Sequence, residues 1–401
     1  MRDFWRKIKA YLRKSASVEV KIGQMTVTRL TIFGIAAAIV VFGLVFLLYM
    51  VYGNKEVSLN LERTDMEPGH AYRINDGVVF YDTSSSYISL KPAESARVTT
   101  SNALVTADGY DISSTTKVVF LGSSAQIIGP EHEQDEFVLE GGGRILSARA
   151  GRRHAALLYR NQYGDSRISI MNSTTKDPQV DATVPITGGE VVAFGFLQLN
   201  DNTEYLWVST MDINQFSEES MVRVYNCDNN GALIFYSTSF YNQTIKNALL
   251  TPRCLYLIGS QDIIRYDRTD DGFSSERARV SIYGSTVLDC RQSADSESPY
   301  FITIPVTAET EKTHICRLLT VSQSDEEWAT VLQQFMSSPI VGAFLREDKV
   351  CVVTEKTYEE YSYAGKQSLS LEFEETPDKV VKYADGFFLA TPTACYRVTV
   401  E

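Results

Sequence analysis

Histidine, tryptophan and clustered cysteine are scarce in this 401-residue sequence, and each scarcity removes a class of chemistry. The four histidines (His70, His132, His154 and His314) are scattered, and His132 opens HEQDE, which lacks the second histidine of an HExxH zinc helix. Of the six cysteines (Cys227, Cys254, Cys290, Cys316, Cys351 and Cys395), the nearest two are 26 residues apart, so the sequence encodes neither a CxxC redox pair nor a local zinc cage. GxSxG and Walker loops are absent, as are the Trp-docking and S-x-D-x-G-x-x-W repeats that mark cofactor-binding or sialidase propellers. No catalytic residue, cofactor or metal site is therefore expected. The run Asn226-Cys227-Asp228-Asn229-Asn230-Gly231 matches the first half of a calcium loop. Its ninth and twelfth positions are Ile234 and Ser237, and a turn between strands accounts for it better. A net charge of -12 excludes a nucleic-acid partner, because phosphate neutralisation needs a basic surface.

The acidic excess is uneven. Residues 1–29 carry eight basic and two acidic side chains, a net of +6, which leaves -18 on the remaining 372. Between Arg29 and Lys55 no side chain except tyrosine ionises, and Thr31 to Tyr52, at about 1.5 Å per helical residue, is long enough for ~30 Å of hydrocarbon. This predicts one transmembrane helix within residues 30–53, uncleaved because YMVYGNKEV lacks a small-x-small site. The basic leader, 1–29, stays in the cytoplasm by the positive-inside rule. A linker (54–69) and a domain (70–401) then lie outside the cell membrane. In the leader, Phe4, Trp5, Ile8, Tyr11 and Leu12 recur at helical spacing among Arg6, Lys7, Lys9, Arg13 and Lys14. Trp5 and these five cations are the candidate membrane-surface residues of a helix on the inner leaflet, the alternative being a basic flank that only sets topology. Residues 18–28 alternate about Gly23 as a small hairpin does.

Beyond Gly53 the chain reads as all-β. Short apolar or alternating runs (Val78 to Tyr81, Lys117 to Leu121, Ala155 to Tyr159, Tyr205 to Thr210, Leu255 to Gly259, Val350 to Thr354, Gly386 to Thr391) are parted by turn pairs such as Asp76-Gly77 and Asp108-Gly109. A loose pattern restarts near residues 144, 190, 247, 285, 339 and 379, a mean spacing of 47, against about 40 to 50 for a four-stranded propeller blade. A β-propeller of about seven blades is expected, with six or eight open and tandem sandwiches as the competing fold. The last blade is expected to share strands between 379–401 and the segment His70 to Leu90. One stretch departs from the pattern: Ser324 to Met336 has a capping box and places Trp328, Val331, Leu332 and Phe335 on one helical face, a candidate partner-docking helix.

A basic stub, one apolar span and blades without Gly-His or Trp-Asp pairs together resemble the membrane-anchored β-propeller proteins of Gram-positive bacteria, with WD40-like or PQQ-like blades that lack the signature residues. The resemblance implies architecture and carries over no functional residue. The expected function is a membrane-tethered, non-catalytic scaffold that binds a protein or glycan at the cell envelope. An envelope glycan hydrolase or lyase, or a sensor acting through the short tail, are the alternatives.

Overall fold

The computed structural model describes residues 19–22, 25–28, 38, 40–44, 58–82, 87–90, 99–101, 107–130, 136–176, 179–199, 203–213, 218–270, 272–292, 299–306, 313–321, 328–383 and 386–400. The chain forms two compact units, Met1–Ser58 and Leu59–Glu401. In the first, Glu19–Ile22 pairs antiparallel with Met25–Thr28, as the alternation about Gly23 predicts. Of the run Thr31 to Tyr52, residues 38 and 40–44 are helical, with Val40, Val41, Phe42 and Leu44 exposed. The rest of that run, and Trp5, Arg6, Lys7, Lys9, Arg13 and Lys14, lie outside the described residues. Among the described residues, no helix is long and apolar enough to cross a membrane.

The second unit is an eight-bladed β-propeller. Seven antiparallel sheets follow in chain order: 73–101, 109–138, 144–185, 190–236, 245–281, 285–335 and 340–372, blades 1 to 7; each has four strands, and blade 4 adds the short strand Phe240–Tyr241, which pairs with its third strand. Blade 8 joins three strands from 379–400 to Leu59–Arg63, which pairs with Cys395–Val400. The first strand of each blade is innermost, and first strands meet between blades 2 and 3, 3 and 4, 4 and 5, 6 and 7, and 7 and 8.

The second strands explain why the chain folds this way. Cys254–Gly259 is buried along its whole length, and because successive side chains in a strand point to opposite faces, it serves two interfaces at once. Leu255 and Leu257 pack with Val222 and Val224 of blade 4, whereas Cys254, Tyr256 and Ile258 pack with Phe301 and Leu319 of blade 6. Eight such clusters fall one to each interface. Those that close the ring place Phe387, Leu389 and Val398 against Phe344 and Tyr358 of blade 7, and Phe388, Ala390 and Cys395 against Val79, Tyr81 and Leu90 of blade 1. With each buried aliphatic side chain contributing roughly 1.5–3 kcal/mol, no blade buries its two faces without both neighbours.

Three expectations need correction. The blades number eight, one of the counts left open, and not seven, because residues 73–101 form a complete blade that its three-residue first and last strands, Arg73–Asn75 and Thr99–Ser101, make hard to see. The strand that closes blade 8 is Leu59–Arg63 and not part of His70 to Leu90. Trp328–Phe335 is not a helix but the outer strand of blade 6, paired with Ile315–Val321. The hydrogen-bonding groups along Ile315–Val321 need a partner, and Thr330 and Val331, both β-branched, suit a strand better than a helix. Trp328 and Leu332 turn inward, Val331 and Phe335 face outward, and a bulge between Leu332 and Thr330 sets that spacing.

Candidate functional site

The two ends of the ring differ in chemistry. The end that carries the turns between first and second strands, and between third and fourth, is also where the chain enters at Leu59, opposite Val400. This entry end is charged. The opposite, crossover end carries the blade-to-blade connections and exposes aromatic residues: Tyr163 is 81% exposed, Tyr283 79%, Phe335 63% and Tyr241 62%.

At the entry end, blades 1 to 4 are tied by a polar network. Glu204, at the start of the second strand of blade 4, is 1% exposed. Its carboxylate accepts the backbone N–H groups of Arg152 (2.7 Å) and Arg153 (3.1 Å) and meets His154 Nδ1 at 2.9 Å. The turn of blade 3 reaches this carboxylate because residue 151 is glycine: a Cβ there would lie 2.5 Å from Glu204 Oε1. His154 Nε2 faces Asp181 at 3.5 Å. Arg152 forms a two-pronged pair with Asp76 of blade 1 (Nε and Nη2 at 3.0 and 2.8 Å), and Asp76 also receives the Ser114 hydroxyl of blade 2. Arg153 pairs with Asp228, which accepts the Glu204 N–H at 2.9 Å.

A cavity of about 590 Å³ opens beside this network, lined by Asn75, Asp76, Arg152, Gln198 and Glu204 among others. Its charged groups are already engaged with one another, which is the signature of a clasp between blades. Cys227 lies close enough to feel the Glu204 and Asp181 charges, but burial first, and Glu204 second, hold its thiol well above the ordinary range. A thiol kept protonated and buried is no nucleophile. The segment Asn226 to Gly231 is the turn between the third and fourth strands of blade 4, as the sequence indicates: Asn226 caps Asp228 N–H, and Asn230 and Gly231 take positive φ. Among the described residues no cluster of His, Cys, Asp and Glu has the make-up of a metal site.

A second cavity, about 600 Å³, lies on blade 5 at the same end, lined by Arg253, Cys254, Tyr256, Arg265, Asp267, Arg268 and Asp270 among others. The sequence reading missed it. The available signal was a charged residue inside an apolar strand, Ile263-Ile264-Arg265-Tyr266, where burial leaves a cation needing a partner. The residues singled out in the sequence are elsewhere. Trp328 packs with Tyr256 and Phe301 between blades 5 and 6, and its indole N–H has no partner. Leu332 is in the core between blades 6 and 7. Val331 and Phe335 share the exposed outer edge without forming a helical face.

No family model matches the chain, and no curated protein matches it in sequence. Solved structures do. The chain is similar to Sqt1 from Saccharomyces cerevisiae (9% identity, TM-score 0.53) and to the WD40 domain of SCAP from fission yeast (9%, 0.52), in each case over 85% of this chain and 97% or 98% of the other. BamB from Moraxella catarrhalis aligns over 85% of this chain and 97% of its own at 10% identity, with a TM-score of 0.49. At these identities the likeness to Sqt1 and the WD40 domain shows the fold alone: an all-β propeller.

Proposed function

We propose that the chain is a non-catalytic scaffold that binds another protein, tethered to the cell membrane with its propeller on the outer side. The observation that carries the non-catalytic reading is the engagement of the buried polar groups around Glu204 in contacts between blades. They hold turns in place, and His154 Nδ1 is tied to the buried Glu204 carboxylate that binds the blade 3 turn. A protein partner is supported by the aromatic side chains exposed at the crossover end, the residue type enriched in protein interfaces. The outer location is supported by the +6 leader and by the apolar run that follows it.

A compartment-sensitive reporter fused after Glu401 tests the location: signal of the extracytoplasmic type is expected, and signal of only the cytoplasmic type overturns it. Incubation of the purified full-length chain with cell-wall glycans tests the chemistry. Unchanged glycans are expected, whereas shortened or unsaturated products would replace the scaffold with an enzyme.

A further inference from the structure

The blade 5 cavity holds a buried cation with unused hydrogen-bonding capacity. Arg265, in the middle of Asp262–Thr269, is 9% exposed. Its Nε donates to Asp267 Oδ1 at 2.7 Å, its only side-chain hydrogen bond among the described residues. Among the described residues the two Nη nitrogens have no acceptor; they stay open to water, and the side chain lines the cavity. Asp267 does not need them, since Arg277 Nε reaches its other oxygen at 3.2 Å. Arg268, on the same wall, spends one Nη on the Tyr205 hydroxyl at 3.3 Å. The described lining residues include three arginines, Arg253, Arg265 and Arg268, beside Asp267 and Asp270, in a chain that carries -18 beyond its leader. A guanidinium whose fork opens onto a cavity can take a carboxylate two-pronged, with charge-assisted hydrogen bonds.

We propose that this cavity binds the carboxylate of an aspartate or glutamate side chain on a partner protein, with the Arg265 Nη groups as the paired donors and Arg268 as the second cation. The planar, two-pronged donor edge fits a carboxylate. A cavity of about 600 Å³ admits one or two side chains, within the usual range for binding pockets. The overall acidity selects against extended polyanions, which meet the field of the whole domain, while a single carboxylate feels chiefly charges within about a Debye length. The assignment rests on the protein-binding reading and names the chemistry of one contact in it.

The test is a titration of the full-length chain with a capped, otherwise neutral nine-residue peptide carrying one central glutamate, and with its glutamine twin, followed through the arginine Nε–Hε signals. The glutamate peptide is expected to shift the Arg265 signal and to bind about tenfold or more tighter than its twin. Arg265→Met is expected to weaken binding by a similar factor. Equal binding of the twins overturns the proposal, as does unchanged affinity in a folded Arg265→Met variant. Should that variant not fold, Arg268→Gln, at an exposed position, decides: a loss of about threefold supports the site and no loss overturns it. Inorganic phosphate that shifts Arg265 where the glutamate peptide does not would make the ligand a phosphoryl group and likewise overturn it. Failure of the broader scaffold reading is seen separately, as glycan turnover or a cytoplasmic carboxy terminus.

Discussion

Asp111 and Asp289 stand four blades apart in a ring of eight, and each accepts the backbone amide of the inner strand of the following blade: Ala150 N–H at 2.9 Å in one case, Leu345 N–H at 2.8 Å in the other. Each also takes a side chain from a third blade. Asn75 of blade 1 donates to Asp111 at 2.9 Å, and Lys382 of blade 8 donates to Asp289 at 3.0 Å. The same carboxylate pin therefore occurs on opposite sides of the ring, where it fixes three inner strands at a time.

Replacing either aspartate with alanine leaves a buried amide without an acceptor, which costs about 1–3 kcal/mol. Because the two pins share no partner, the costs in the double variant are expected to add to within about 0.5 kcal/mol. Denaturant midpoints of the two single variants and the double variant check this, and strong non-additivity would show that the pins act as one unit.

Asp111 also makes stability depend on pH. Burial, against the opposing pull of the Ala150 amide and the Arg149 charge, raises its carboxyl above the ordinary range. With the folded-state value above the unfolded one, the folded protein holds the proton more tightly. This contribution is present below the unfolded value and is lost as pH rises through the folded one. The thermal midpoint of the protein, measured against that of Asp111→Asn, should gain as pH falls from neutral toward 4. A gain in the other direction would mean that Asp111 is held as a carboxylate.

All six cysteines are free thiols, and five are buried. Burial pushes Cys316 and Cys351 up to about 12, and burial with the Asp289 charge does the same to Cys290. A thiol reagent at pH 8 should therefore react slowly with the native protein and with six groups once guanidinium unfolds it. Fewer than six in denaturant would reveal a disulfide.

Ring closure is open to deletion. Removing residues 379–401 takes away three strands of blade 8 and leaves Leu59–Arg63 unpaired. The apolar faces of blades 1 and 7 then meet water, so the loss of structure should be global. A truncated chain that keeps a protease-resistant, cooperatively unfolding fragment over about residues 60–220 would contradict this. A smaller probe is Phe387→Ala: this fully buried ring stacks on Tyr358 at 5.2 Å, and its loss should cost about 3–5 kcal/mol within a single transition.

How much of this was legible in the sequence follows from where each strand sits. The seven apolar runs read from the sequence all fall on second strands, including Lys117–Leu121 with the bounds expected. Second strands lie between neighbouring blades on both faces, so they must be apolar at nearly every position, and that signal survives without any alignment. The restarts near 144, 190, 285 and 379 match the inner strands of blades 3, 4, 6 and 8. The closing strand was invisible: Leu59–Arg63 is exposed at four of its five residues, because an outer strand has one partner and little to bury. At Trp328–Phe335 local periodicity pointed to a helix, and the open edge of Ile315–Val321 prevailed.

The sequence by itself determined the β character, the approximate blade period and the separation of a basic, apolar-flanked leader from an acidic remainder. Each is a local property, set by the alternation of side chains along a strand or by charge summed over a short window. Only the tertiary structure decided the number of blades, the strand that completes the ring, and the company kept by Glu204, Asp111 and Arg265. Those depend on contacts such as the Thr64 hydroxyl with the Cys395 carbonyl at 3.1 Å, 331 residues apart in the chain. Nothing in a few neighbouring residues encodes such a contact, since it exists only once eight sheets have packed and the ring has no open edge between its blades.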